Sequence, residues 1–301
     1  MRVAILGCRG STPVSGSVYS KYGCATSCLA LSHGEHSPTL VLDAGTGLMN
    51  MAPLLGDQPF RGTILLTHLH WDHTHGLPFF RNAGLPGHRV QVAIPAQGPD
   101  SEDVLARAFS PPHFPVRPSG LGDGWTFLGI EPGAHEFEGF SVVAEEIPHK
   151  GGRTFGYRVS DGRATLAYLP DHSPLGCGPG EDGLGAYHPA ALALAAEVDL
   201  LIHDAQHTAA ELPSRAYLGH SAIEYALGLG EAAGAREVAL FHHDPSRTDA
   251  ELDAIAATYC NGELSAFAAR EGMQRRLGER SGSTRAASGA TPNDSWPPAS
   301  R

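Results

Sequence analysis

Ile64-Leu65-Leu66-Thr67-His68-Leu69-His70-Trp71-Asp72-His73 is the stretch on which the reading of this chain turns. A short apolar run of strand character ends at Thr67, and four side chains of metal-ligating chemistry follow within six residues. On an extended loop alternate residues project to one side, so His68 and His70 can clamp one ion. Asp72 and His73, at the turn into a helix, point elsewhere, and two ions are better served than one. A lone histidine usually sits on the surface or at a cap; four ligand types packed directly behind a strand are a specific signal.

Three further strand-like runs end in the same chemistry: Glu146-Ile147-Pro148 before His149, Leu166 to Pro170 before Asp171, and Val238 to Phe241 before His242. In layered α/β folds sites form beyond the carboxyl ends of strands, so these groups are expected to converge. We assign His68, His70 and His149 to one ion and Asp72, His73 and His242 to a second, with Asp171 bridging. His243 competes with His242, and the alternation of Val238 to Phe241 favours His242. All donors are nitrogen or oxygen, so zinc is the default for two divalent ions, with manganese and iron compatible.

Working outward, apolar and β-branched runs at 2–7, 26–33, 38–43, 62–67, 89–94, 140–147, 154–159, 164–169, 198–202 and 236–241 read as strands. Helical stretches are expected at 76–82, 100–109, 189–196, 221–233 and 249–259, the last two with Ser or Thr before the run. This is an α/β chain, most simply two sheets face to face with helices outside. The proline-rich 95–124 should be a surface excursion with at most one short helix, placed where it could cover a site. A single hydrolase domain is expected over 1–275, and the Ser/Gly/Ala/Pro/Arg-rich 276–301 reads as a disordered tail.

The formal charge of −11, with Lys21 and Lys150 the only lysines, gives no general attraction for a polyanion. Nucleic acid is therefore a disfavoured partner, and an anionic substrate must be drawn in locally. No apolar run approaches the ~18 residues of a membrane span, and Met1 leads into a strand without a signal-peptide pattern, so a soluble cytoplasmic protein is expected. Five cysteines without metal-type spacing fit reduced, structural thiols.

The ligand motif with His149, Asp171 and His242 resembles the metallo-β-lactamase superfamily over residues 1 to about 270. That resemblance implies an αββα four-layer sandwich with a dinuclear site at one edge. Leu6-Gly7-Cys8-Arg9-Gly10-Ser11-Thr12-Pro13 resembles the glycine-rich opening of its phosphodiesterase branch, which includes ribonuclease Z and the phosphoribosyl cyclic phosphate phosphodiesterases. Gly219-His220-Ser221 resembles the branch's His-Ser helix start, and Leu201 to Ala205 its His-acid-Ala element, which makes Asp204 the candidate to orient His220. Arg-Gly-Ser and Phe241-His242-His243-Asp244-Pro245 are most similar to an uncharacterised bacterial subgroup, although its Gly-Gly-Asn-Thr turn reads Gly23-Cys24-Ala25-Thr26 here. Relatives of this kind also imply a homodimer.

Two divalent ions set against Asp72, Asp171 and a bridging hydroxide leave a net charge of about +1, which suits a phosphodiester. The hydroxide is the expected nucleophile, with Asp72 accepting a hydrogen bond from it and His220 donating a proton to the leaving oxygen. Lys150 and Arg153 are candidates to grip the rest of the substrate. Asp43 reads as a turn residue bonding backbone amides, and His172, His203, His207 and His243 as neighbours that could orient ligands. Hydrolysis of a small or cyclic phosphodiester leads; tRNA 3′-end cleavage, acyl or thioester hydrolysis, and a non-catalytic metal-binding module follow.

Overall fold

The computed structural model describes residues 1–98 and 100–278. The apolar runs form β1 (Arg2–Gly7), β2 (Cys28–Ser32), β3 (Leu40–Leu42), β4 (Arg61–Leu65), β5 (Arg89–Pro95) and β6 (Trp125–Ile130) in one sheet. A second sheet takes β7 (Gly133–Phe137), β8 (Phe140–Glu146), β9 (Phe155–Ser160), β10 (Thr165–Leu169), β11 (Leu200–Asp204), β12 (Glu237–Phe241) and β13 (Ser265–Ala268). Finally β14 (Gln274–Arg276) returns to the first sheet beside β1.

Three apolar clusters divide the interior, and they define four layers. Val3, Ile5, Leu29 and Leu42 meet Phe140, Phe155, Leu166 and Tyr168 between the sheets. The outer face of the second sheet, with Leu201, Val238 and Leu240, packs on Leu194, Ile223, Leu229 and Leu252 from helices. The outer face of the first, with Ile64, Leu66 and Val92, packs on Leu48, Leu77 and Leu105. Leu65 faces the inter-sheet core while Ile64 and Leu66 face outward, so a run apolar at every position is buried on both sides, as parallel strands require.

Direction and register place the site. β10, β11 and β12 run parallel, and β8 shares their direction because it is antiparallel to β9, itself antiparallel to β10. Their carboxyl ends therefore open on one rim. Register pairs Leu169 with His203 and Asp204 with Phe241, which sets Asp171, Asp204 and His242 side by side just beyond the sheet.

Several local expectations need correction. The helix expected at 76–82 is two 3-10 turns, Leu77–Phe79 and Arg81–Ala83, separated where Phe80 adopts an extended ψ of 92°. Helix comes instead within the ligand motif, at Trp71–Thr74. Ser221 does not cap the helix Ile223–Ala233; its hydroxyl donates to the His172 carbonyl, while Thr248 does cap Asp249–Tyr259 in a capping box with Glu251. The 95–124 excursion holds the helix Ser101–Ala106 and a 3-10 turn, Pro118–Leu121. Of the tail expected over 276–301, Arg276 pairs within β14 and residues 279–301 lie outside those described.

Candidate metal centre

All seven residues expected as ligands meet at the rim. His68, His70 and His149 form one set of mutually close donor atoms, and Asp72, His73 and His242 form another. Asp171 lies between them and turns one oxygen to each. Its Oδ1 is 3.5 Å from His149 Nε2 and 3.9 Å from His68 Nε2, whereas Oδ2 is 2.9 Å from His73 Nε2 and 3.3 Å from His242 Nε2.

Four of the five inward-facing rings, those of His68, His73, His149 and His242, are held from behind. Nδ1 of His73 donates to Asp43 at 2.7 Å, Nδ1 of His149 donates to the Gly219 carbonyl at 2.9 Å, and Nδ1 of His68 lies 3.1 Å from the Thr67 hydroxyl. His242, at a left-handed φ of 58°, has the side-chain amide of Gln206 3.3 Å from its Nδ1. Asp72 accepts the Ser11 amide at 2.7 Å. Rings fixed through one nitrogen present the other, which is how proteins orient metal-binding histidines.

The donor set fits divalent ions on its own chemistry. His68 Nε2, His73 Nε2 and Asp171 Oδ2 are buried without a hydrogen-bond partner, although they lie within a few ångströms of one another. Atoms so close and yet unbonded aim at common points, and buried polar atoms are seldom left unsatisfied. The buried carboxylates also make the cluster favour positive charge. Burial disfavours charge on His73, but the carboxylates of Asp171, Asp72 and Asp43 outweigh it and hold its pKa well above the usual range. Burial would raise the Asp171 pKa, yet His242, His73 and His68 keep it well below the usual carboxylate value.

His220 stands beside the cluster, with Nδ1 donating to Asp204 at 2.9 Å and 3.7 Å from Asp171 Oδ1. Burial pushes it down, but Asp204, then Asp171 and Asp72, carry its pKa up to about 9. Asp204 also accepts the amides of His172 and Gln206, so it is anchored to the end of β10 and to the turn that follows its own strand.

Other sites are placed as follows. Lys150 donates to the Tyr217 carbonyl, and Arg153 is held by Glu131 at 2.7 Å, Glu146 at 3.0 Å and the Ala96 carbonyl. Asp43 does bond a backbone amide, that of Thr67 at 2.7 Å, but it also receives the Thr67 and Tyr168 hydroxyls and orients His73. His243 turns from the cluster and bonds the Ala269 carbonyl. His172 and His203 pack with Tyr225, and the ring of His207 lies 6.1 Å from that of His220. The cysteines are free, and burial pushes the Cys8 thiol up to about 12.

Sequence reasoning missed Ser11 and Gln206. The opening Arg9-Gly10-Ser11 shows why it is glycine-rich: a Cβ on Gly10 would lie 2.4 Å from His242 Nδ1. Arg9, fully buried, ties this loop to the Gly23, Asp244 and Arg247 carbonyls. A backbone amide that bonds Asp72 leaves no side-chain signature, which is why Ser11 escaped notice.

With fold and site described, the chain belongs to the metallo-β-lactamase superfamily: the family model for the beta-lactamase superfamily domain matches residues 39–243. It is a hydrolase of that fold. A ribonuclease Z of Acaryochloris marina is 26% identical over 266 residues, covering 73% of this chain and 80% of that protein. Among solved structures, the metallo-beta-lactamase fold protein YhfI from Bacillus subtilis aligns with a TM-score of 0.67 at 19% identity, over 91% of this chain and 99% of that one. A diphosphatase of the PhnP family aligns with a TM-score of 0.67 at 18% identity, over 92% and 97%. Both structural likenesses show the fold. No helix among the described residues is long and apolar enough to cross a membrane.

Proposed function

We propose that this protein is a dinuclear metal-dependent phosphodiesterase acting on a small or cyclic phosphodiester. The observation that carries the reading is Asp171 dividing its two oxygens between two sets of donors, with the His68 and His73 Nε2 atoms beside it making no hydrogen bond among the described residues. His68, His70 and His149 would hold one ion, Asp72, His73 and His242 the other, and Asp171 both; zinc suits the all-nitrogen-and-oxygen set. When bound, such ions supply positive charge for the phosphate and lower the pKa of water.

This chain's own residues do the rest. Hydrolysis adds water oxygen to phosphorus and breaks one ester P–O bond, and the leaving oxygen needs a proton. His220 is fixed through Nδ1 by Asp204, so its Nε2 edge serves as donor. The Ser11 amide keeps Asp72 from rotating out of the cluster. Apolar Leu69 and Leu218 beside His220 limit water around the scissile bond.

The likeness to a ribonuclease Z favours a second reading, cleavage of RNA 3′ ends. A charge of −11 counts against it, because holding an RNA body takes a basic surface.

The test is purified protein with metals counted, assayed on bis(p-nitrophenyl) phosphate, a nucleoside 2′,3′-cyclic phosphate whose leaving group is an alkoxide, a thioester and precursor tRNA. Turnover of the phosphodiesters is expected, and turnover of the thioester alone rejects the reading. His220→Ala, metals retained, should slow departure of the alkoxide far more than release of p-nitrophenolate, which needs no proton. Equal slowing removes His220 from the proton-donor role.

A further inference from the structure

Two cavities open on the donor cluster and share part of their walls. The first, about 390 Å3, reaches Asp72, Asp171, His149 and His220; the second, about 290 Å3, reaches His68, Gln97, Arg107 and Arg153. Leu69, His70 and Trp71 line both. His220 lines only the first, so in the phosphodiesterase reading, on which this inference rests, the leaving group lies there and the retained substituent falls in the second.

Trp71 is 66% exposed although it sits inside the ligand motif, and it joins none of the three apolar clusters. His75 stacks on it at 5.5 Å and 19°, bracing one face of the indole and leaving the other for a flat group. Arg107, just past the helix Ser101–Ala106, lines the second cavity, and its guanidinium makes no hydrogen bond or ion pair among the described residues. Its neighbour Arg153 is already committed to Glu131 and Glu146. An uncommitted guanidinium beside a hydrolytic centre, in a chain this acidic, is a place for an anion. The cavity wall is bare backbone at Gly151, at φ 87°, where a Cβ would come 2.7 Å from His70 Nε2 and close the passage to the cluster.

We infer that the second cavity is a subsite for a nucleoside carrying a second phosphate, its base stacked on Trp71 and that phosphate held by Arg107. The substrate class is then a nucleotide phosphodiester bearing a further terminal phosphate.

The probes are thymidine 5′-(p-nitrophenyl phosphate), with and without a 3′-phosphate, and thymidine 3′,5′-bisphosphate for binding. The native protein should favour the 3′-phosphorylated ester in kcat/KM by about tenfold or more, the order of one charge-assisted contact. Arg107→Gln should collapse that preference and Arg107→Lys retain most of it. Trp71→Ala should raise KM for both esters by about tenfold with little change in kcat, and Trp71→Phe should restore it in part. Equal treatment of the two esters by the native protein, or an undiminished preference in Arg107→Gln, overturns the phosphate assignment. An unchanged KM in Trp71→Ala overturns the stacking. Should neither ester turn over, the phosphodiesterase reading fails, and bisphosphate binding followed by calorimetry decides the subsite alone: about tenfold weaker binding in both variants upholds it and equal binding refutes it.

Discussion

Oδ2 of Asp43 stands 2.7 Å from Nδ1 of His73, with both side chains fully buried. Asp43 holds a left-handed φ of 59°, a conformation asparagine also tolerates, so Asp43→Asn removes the charge with the backbone kept. Metal affinity is expected to fall about 10- to 100-fold, as for other partners behind a ligand, read by competition with a chromogenic chelator. Asp43→Ala strands the donors of His73, Thr67 and Tyr168 and should cost about 3–5 kcal/mol in urea unfolding.

Gly10→Ala brings a methyl group to 2.4 Å from the His242 ring and 2.6 Å from Gln206 Nε2. The ring must yield, since the neighbouring His243 is pinned to the Ala269 carbonyl. Bound metal should drop by about one ion per chain with the far-ultraviolet spectrum unchanged. Full occupancy would show that the loop, not the ring, moves aside.

Chelation should lower the melting temperature, because the clustered donors bind metal in the native state and are scattered in the unfolded one. At a free concentration about a thousandfold above Kd the stabilisation is ~4 kcal/mol. Asp171→Ala, which takes a donor from both sets at once, should abolish most of the difference between loaded and stripped protein. Superimposable melting curves for native protein with and without chelator would count against a metal centre.

Outside the donor set, Glu211 accepts from Arg247 at 2.8 Å and from the Thr208 amide at 2.7 Å. Although burial opposes it, these partners hold its pKa down at about 2, below an ordinary 4.5. A carboxylate with a depressed native pKa stabilises the fold fully above its unfolded value, and that contribution disappears as pH falls from about 4.5 through about 2. Glu211→Gln should be less stable than the native protein at pH 7, and the gap in melting temperature should shrink towards pH 2. A gap independent of pH would mean the interaction is not ionic.

What was legible in the sequence follows burial. Strands flanked on both sides announce themselves by apolar runs, and the ten expected from such runs are the ten interior strands of the two sheets. The four that escaped, β6, β7, β13 and β14, are the four sheet edges. Edge strands are covered on fewer sides, so Gly133-Ala134-His135-Glu136-Phe137 and Gln274-Arg275-Arg276 carry no apolar pattern to read. The convergence of the seven candidate donors was legible because each follows a strand and has distinctive chemistry. Ser11 acts through its amide and Trp71 through its exposure, and neither property is written in residue type.

The return of β14 to β1 also bears on how the chain is made. β1 is synthesised shortly before its neighbour β2, yet its other edge waits for residues 274–276, after the whole second sheet has been synthesised. During that interval the nascent protein carries an unpaired strand edge, the kind of surface on which chains associate with one another. Shielding that edge while translation proceeds is a task this topology hands to the cell.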